Sequence, residues 1–221
     1  MDLSPAIVLA TWAAGLAGAL AVVARWRVVG PGFTWLGAGV TLLAGVPAAA
    51  AMRNVWAWIG CGLCAVVASG ARREAMVAAL AGAAAACFVV AAASDGAPVA
   101  VVSGAVLLGG VTGEMMLGHW YLVDPRLPRR TLRTLDAIAG IGAVADFAVL
   151  AGSGAIPWTG SDAVIGAGFV LLAVTTVVLM AAVWFALGER GYAGVMAATG
   201  LSYLAVLTAI GSAVLGRILA A

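Results

Sequence analysis

The chain has 221 residues, 65% of them hydrophobic and only 9% charged, whereas soluble domains average about 45–50% apolar and about 25% charged residues. That composition excludes an ordinary cytosolic enzyme, a disordered segment and a nucleic-acid-binding domain. The 11 basic residues, set against 9 acidic ones, are all Arg, and without Lys no retinal or pyridoxal Schiff base can form.

A helix crosses about 30 Å of hydrocarbon with roughly 20 mainly apolar residues. Eight such stretches follow in chain order, at about 5–24, 33–51, 55–71, 74–93, 98–122, 132–152, 163–187 and 193–216. The chain therefore reads as an all-α, polytopic transmembrane helical bundle, one integral membrane domain over residues 1–221. The connections are short and carry turn chemistry, as in Gly30-Pro31-Gly32, Ser94-Asp95-Gly96-Ala97-Pro98 and Asp124-Pro125-Arg126-Leu127-Pro128. A soluble bundle would need a polar face on every helix, and residues 163–187 carry no charge at all. Only Arg72, Arg73 and Glu74 separate the third and fourth stretches, so a re-entrant hairpin is the alternative there.

Arginine sets the orientation. Arg25, Arg27, Arg72, Arg73, Arg126, Arg129, Arg130, Arg133 and Arg190 fall on one side, and Arg53 and Arg217 on the other. The rich side is expected to be cytoplasmic. Both termini, with Asp2, Asp95 and Asp162, then lie on the non-cytoplasmic side of a multi-pass protein of the inner (cytoplasmic) membrane. Aromatic residues agree, with Trp26, Trp35, Trp120, Trp184 and Tyr192 at the inner interface and Trp56, Trp58 and Trp158 at the outer one. No Arg precedes the first span, so the basic start of a cleaved signal peptide is missing and that span is expected to be retained.

Thirty glycines in such a chain are expected to be contact surface, because close backbone approach replaces the hydrophobic effect inside a bilayer. Gly109 and Gly113 share one face of the fifth span. Gly15, Gly18, Gly140, Gly142, Gly166, Gly168 and Gly211 read the same way. No internal repeat stands out. The first four spans hold almost no buried charge, and the polar residues gather later.

Mid-membrane carboxyls are costly and usually face an interior or a water path. Glu114, about four residues from the middle of the fifth span, and Asp146, a similar distance beyond the middle of the sixth, are the prime candidates for proton transfer. Asp136 and His119 lie nearer the arginine-rich side, so the four form a polar ladder along the hairpin of spans five and six. His119, Trp120 and Tyr121, with Asp136, are the candidate ligand-binding group at its mouth. Each also has a structural reading: Asp136 pairs with Arg133 or caps its helix, His119 anchors at the headgroups, and Glu114 and Asp146 bond helices together. Such groups suit proton handling, because burial favours a neutral carboxyl and a nearby Arg or His favours a charged one.

The cysteines form a second constellation. Ile59-Gly60-Cys61-Gly62-Leu63-Cys64 loosely resembles the first redox pair of quinone-linked thiol oxidoreductases. The resemblance covers half a dozen residues, and the second redox pair of those enzymes is lacking. Cys61, Cys64 and Cys87 are therefore expected to serve as small apolar packing residues. No metal site is expected, since three Cys without an adjacent His make an incomplete zinc set. A single His cannot supply two-His haem ligation, Met115 and Met116 share its helix, and only Met180 or Met196 could complete a haem pair. Haem is not expected, whereas a quinone suits the polar cluster.

Three functions follow. The first is a membrane subunit of a respiratory or other redox assembly, partnered by lipid and by other membrane or redox subunits. The second is a small proton-coupled transporter or channel, which discontinuous helices or matching half-repeats would favour. The third is a non-catalytic scaffold or anchor subunit.

Overall fold

The computed structural model describes residues 5–70, 73–95 and 97–220, which form eight helices and, among those residues, no strand. They are α1 (Pro5–Trp26), α2 (Pro31–Met52), α3 (Val55–Ala68), α4 (Glu74–Asp95), α5 (Pro98–Val123), α6 (Arg129–Gly152), α7 (Ala163–Ala186) and α8 (Tyr192–Ala220). Asp2 and Arg72 lie outside the described residues.

Local chemistry sets the helix boundaries. Pro31 and Pro98 open α2 and α5 at their first turns, where a missing N–H costs nothing. The Asn54 side chain accepts the Trp56 N–H at 2.9 Å and caps α3. Arg53, at φ 50°, closes α2 by a left-handed turn onto the Ala49 carbonyl. Helix α2 continues through Pro47 into its final turns.

Seven of the helices are long and apolar enough to span a bilayer, and α3 is not. Its 14 residues reach only about 21 Å at 1.5 Å per residue. Helix α3 lies antiparallel to α4. At its start Asn54 Nδ2 donates to Ser94 Oγ near the end of α4 (3.1 Å), while Glu74 at the start of α4 pairs with Arg27 at the other end (3.4 Å). The eight stretches are thus eight helices, the third of them short.

The packing order is doubled. Helix α1 packs on α2 and α4, with α3 closing the ring between those two, and α5 packs on α6 and α8, with α7 closing the second ring. The rings meet along α1 and α5. There the backbones touch: a Cβ on Gly109 would lie 2.2 Å from the Gly15 carbonyl oxygen, and one on Gly113 would lie 2.7 Å from Ala19 Cβ. The paired glycines of α5 therefore face α1. Gly110 admits Ala139 of α6, and Gly118 admits Thr199 of α8. Gly18 and Gly140, by contrast, meet no neighbour.

One end of the bundle collects the arginine-rich turns. Arg129 donates to the Glu189 and Gly191 carbonyls (2.6 and 2.5 Å), tying the start of α6 to the α7–α8 turn. Tyr192 Oη donates to the Leu122 carbonyl at 3.3 Å. The assignment of this end to the cytoplasm rests on the arginine count. Large apolar side chains such as Leu43, Val164, Leu171 and Leu207 cover the outside of the bundle, as lipid contact requires.

Candidate functional site

The charged side chains buried in the bundle fall into two clusters on α5, α6 and α8. The first surrounds Glu114, which is 0% exposed. Ser202 Oγ of α8 bonds Glu114 Oε2 and also reaches the Ala198 carbonyl at 2.8 Å. Glu114 Oε1 is buried without a partner. Asp136 of α6, 3% exposed, lies on the helix that packs on α5 at this level, where Gly110 meets Ala139 and Gly113 meets Leu135. Its Oδ1 is also buried and unpartnered. The two described salt bridges, Arg27–Glu74 and Arg217–Asp146, do not include Arg133 with Asp136. Arg133 instead stacks over the Trp184 ring at 5.1 Å, so the same-helix pair that the spacing suggests does not close into a contact ion pair.

A hydroxyl has one proton to give. Ser202 touches two acceptors, the carboxyl of Glu114 and a helix carbonyl. If Ser202 donates to Ala198, as buried helical serines do, the contact with Glu114 is completed by a proton on the carboxyl. A buried oxygen left without a partner costs about 1–3 kcal/mol, so the two orphaned carboxyl oxygens are expensive to keep.

The second cluster lies about 15 Å from the first along α6, at 1.5 Å per residue. Asp146 accepts from Ser103 Oγ (2.7 Å) and from Arg217 Nη1 and Nη2 (3.3 and 3.0 Å). Arg217 also donates to the Ala213 and Ala100 carbonyls (3.1 and 2.6 Å). Gly104 makes room for the guanidinium, since a Cβ there would lie 1.8 Å from Nη2. The sequence suggests that the last span ends near residue 216 with Arg217 flanking it on the outer side. The helix instead runs on through Ala220, and Arg217 is turned inward, 7% exposed. Between the clusters Leu107, Leu108, Val111, Ala139, Ala143, Ala205 and Ala209 are all buried. The expected ladder is therefore two polar sites separated by an apolar layer.

The Gly118-His119-Trp120-Tyr121 run does not converge on one cavity. Successive side chains on a helix point about 100° apart, and these three take different neighbours. His119 is exposed, with Nδ1 3.4 Å from Tyr203 Oη on α8. Trp120 meets the Phe33 ring of α2 edge-on at 5.8 Å. Tyr121 is buried, and its hydroxyl accepts from Arg129 Nε at 3.4 Å. The structure brings Glu114 and Asp136 together and holds both apart from Asp146.

The partners that sequence reasoning missed, Ser202, Tyr203 and Arg217, are all on α8, with Ser103 on α5. A lone serine in an apolar helix carries no signal. Arg217 carried one, a charge at the end of a long apolar run, but was counted only as a flanking charge on the outer side.

The cysteines are free, and Cys61 and Cys64 are buried. Cys61 Sγ packs beside Gly45, with Phe88 against the same glycine. Among the described residues no group of three His, Cys, Asp or Glu could hold a metal ion. A groove of about 280 Å³ opens beside the α1–α5 contact, lined by Gly18, Val106, Gly110 and Ile138 among others. Comparison of the chain with protein-family models, with curated proteins and with solved structures finds no match, so its functional reading is built on this geometry.

Proposed function

We propose that the protein is an integral membrane subunit that handles protons at Glu114 and Asp136, on the arginine-rich side of the bilayer, within a respiratory or other redox assembly. The carrying observation is Glu114 itself: wholly buried, bonded through Ser202, with its second oxygen unpartnered and a second carboxyl beside it. A carboxyl deep in a bundle is functional by default, and a second buried carboxyl on the facing helix, also with a free acceptor site, adds a group that can take up a proton. The apolar layer beyond them favours exchange with one side only, as is needed beside a quinone or another lipid-soluble carrier that takes up protons on reduction.

A proton-coupled carrier is the second reading. One specific observation favours it, the doubled ring of four helices, since transporter halves related by an axis along the membrane normal are a known plan. Glu114 and Asp146 would then be coupling carboxyls on either side of the apolar layer.

The test is infrared difference spectroscopy on the reconstituted protein between acid and alkaline pH. A protonated-carboxyl band should titrate in the natural protein, vanish in Glu114→Gln, and persist at a shifted position in Glu114→Asp. An unchanged titrating band in Glu114→Gln removes Glu114 from the mechanism.

A further inference from the structure

The two rings share more than packing order. At their junction Gly15 and Gly109 pack backbone to backbone: a Cβ on Gly15 would lie 2.6 Å from Gly109 N, and one on Gly109 would lie 2.5 Å from Gly15 Cα. This backbone contact joins the first helix of one ring to the first helix of the other, as a two-fold relation between the rings requires. Setting Gly15 equivalent to Gly109 brings Trp26 onto Trp120, Val29 onto Val123 and Pro31 onto Pro125, without a gap. Along α4 and α8, Val77 matches Val195, Gly82 matches Gly200, Ala91 matches Ala209 and Ser94 matches Ser212. The last two pairs make the same bond, Ser94 to the Ala91 carbonyl and Ser212 to the Ala209 carbonyl (2.7 and 3.0 Å).

The remaining helices agree. Burial along α2 at Ala38, Thr41, Gly45 and Ala48 recurs with identical spacing along α6 at Asp136, Ala139, Ala143 and Asp146. Ile59-Gly60 and Gly62 of α3 match Ile165-Gly166 and Gly168 of α7. Gly70 before α4 matches Gly188 before α8. Between those last two markers the first half is shorter, which accounts for the short α3.

We infer that the chain is two copies of one four-helix unit and that the carboxyl site was laid onto the second copy alone, with Glu114, Asp136 and Ser202 standing where the first copy keeps Leu20, Ala38 and Ala84. All six positions are buried, none more than 3% exposed. The first copy thus serves as an internal control. The same unit folds with an apolar residue at each position, so the polar set is dispensable to the architecture and its ligand, a carboxyl-held proton, is a property of the second copy. That ligand rests on the function proposed above; the two-copy relation does not.

The experiment returns the site to the first copy's residues, as Glu114→Leu with Asp136→Ala and Ser202→Ala, and reads stability and titration separately. The variant should insert, purify as a single species and melt within about 4 °C of the natural protein, while losing the titrating carboxyl band. The reciprocal variant, Leu20→Glu with Ala38→Asp and Ala84→Ser, should gain an additional titrating band. Aggregation or a large loss of melting temperature in the first variant overturns the inference, because the fold would then require the polar set. A well-folded first variant that still titrates leaves the two-copy relation standing and refutes the proton assignment instead.

Discussion

Removing Arg217 while leaving Asp146 in place should destabilise the bundle strongly. In Arg217→Met the methylenes are kept and the guanidinium is lost. Asp146 then has only Ser103 as a donor, and the Ala100 carbonyl loses the Arg217 bond. Breaking a buried ion pair from one side costs about 3–5 kcal/mol, which for a chain of this size corresponds to about 6–20 °C in melting temperature. Replacing both partners removes the uncompensated charge, so Arg217→Met with Asp146→Leu should recover most of that loss. The assay is a double-mutant cycle on thermal unfolding in lipid nanodiscs, with the Glu114 titration recorded alongside. The titration should survive in every variant, because an apolar layer separates the two clusters. A single variant losing less than about 1 kcal/mol, the range of an exposed pair, would refute the reasoning. So would a double variant no more stable than the worse single one.

Gly104→Ala places a methyl where the guanidinium sits and should reproduce much of the Arg217→Met loss, measured by the same unfolding. Gly109→Ala drives a Cβ into the Gly15 backbone and should cost about 1–3 kcal/mol as overpacking, read as lower melting temperature and yield. Replacing Cys61, Cys64 and Cys87 together by Ala should leave membrane insertion and the Glu114 titration intact; loss of titration in a well-expressed variant would restore a thiol-redox role. Reporter fusions after Arg73 and Arg130 should read cytoplasm, and those after Asp95 and Asp162 exterior; reversal at two or more sites refutes the arginine-based orientation. The groove also allows a constructive test. Trp12 Nε1 donates to Thr112 Oγ1 (3.0 Å) on one side of the two-fold contact, and the equivalent positions on the other side, Val106 and Gly18, line the groove. Val106→Trp with Gly18→Thr should fill it and raise the melting temperature.

Sequence alone determined the number of the helices, because a spanning helix needs a long apolar run. It also picked out Glu114, Asp136 and Asp146, since an acidic residue in such a run is conspicuous for its desolvation cost. Partners were another matter. Whether a buried carboxyl meets a counter-ion depends on which helix packs against it, and nothing in the local pattern of α5 or α6 indicated that α8 would bring Ser202 to one carboxyl and Arg217 to another. The consecutive His119, Trp120 and Tyr121 looked like one cluster in the linear chain and fan out to three neighbours because a helix turns about 100° per residue. The duplication stayed hidden for a related reason. In helices built from Ala, Gly and Val, matching residues are too common to be noticed. Only the matching packing order of the two rings, which exists in three dimensions, pairs α1–α4 with α5–α8 and so shows which residues to align.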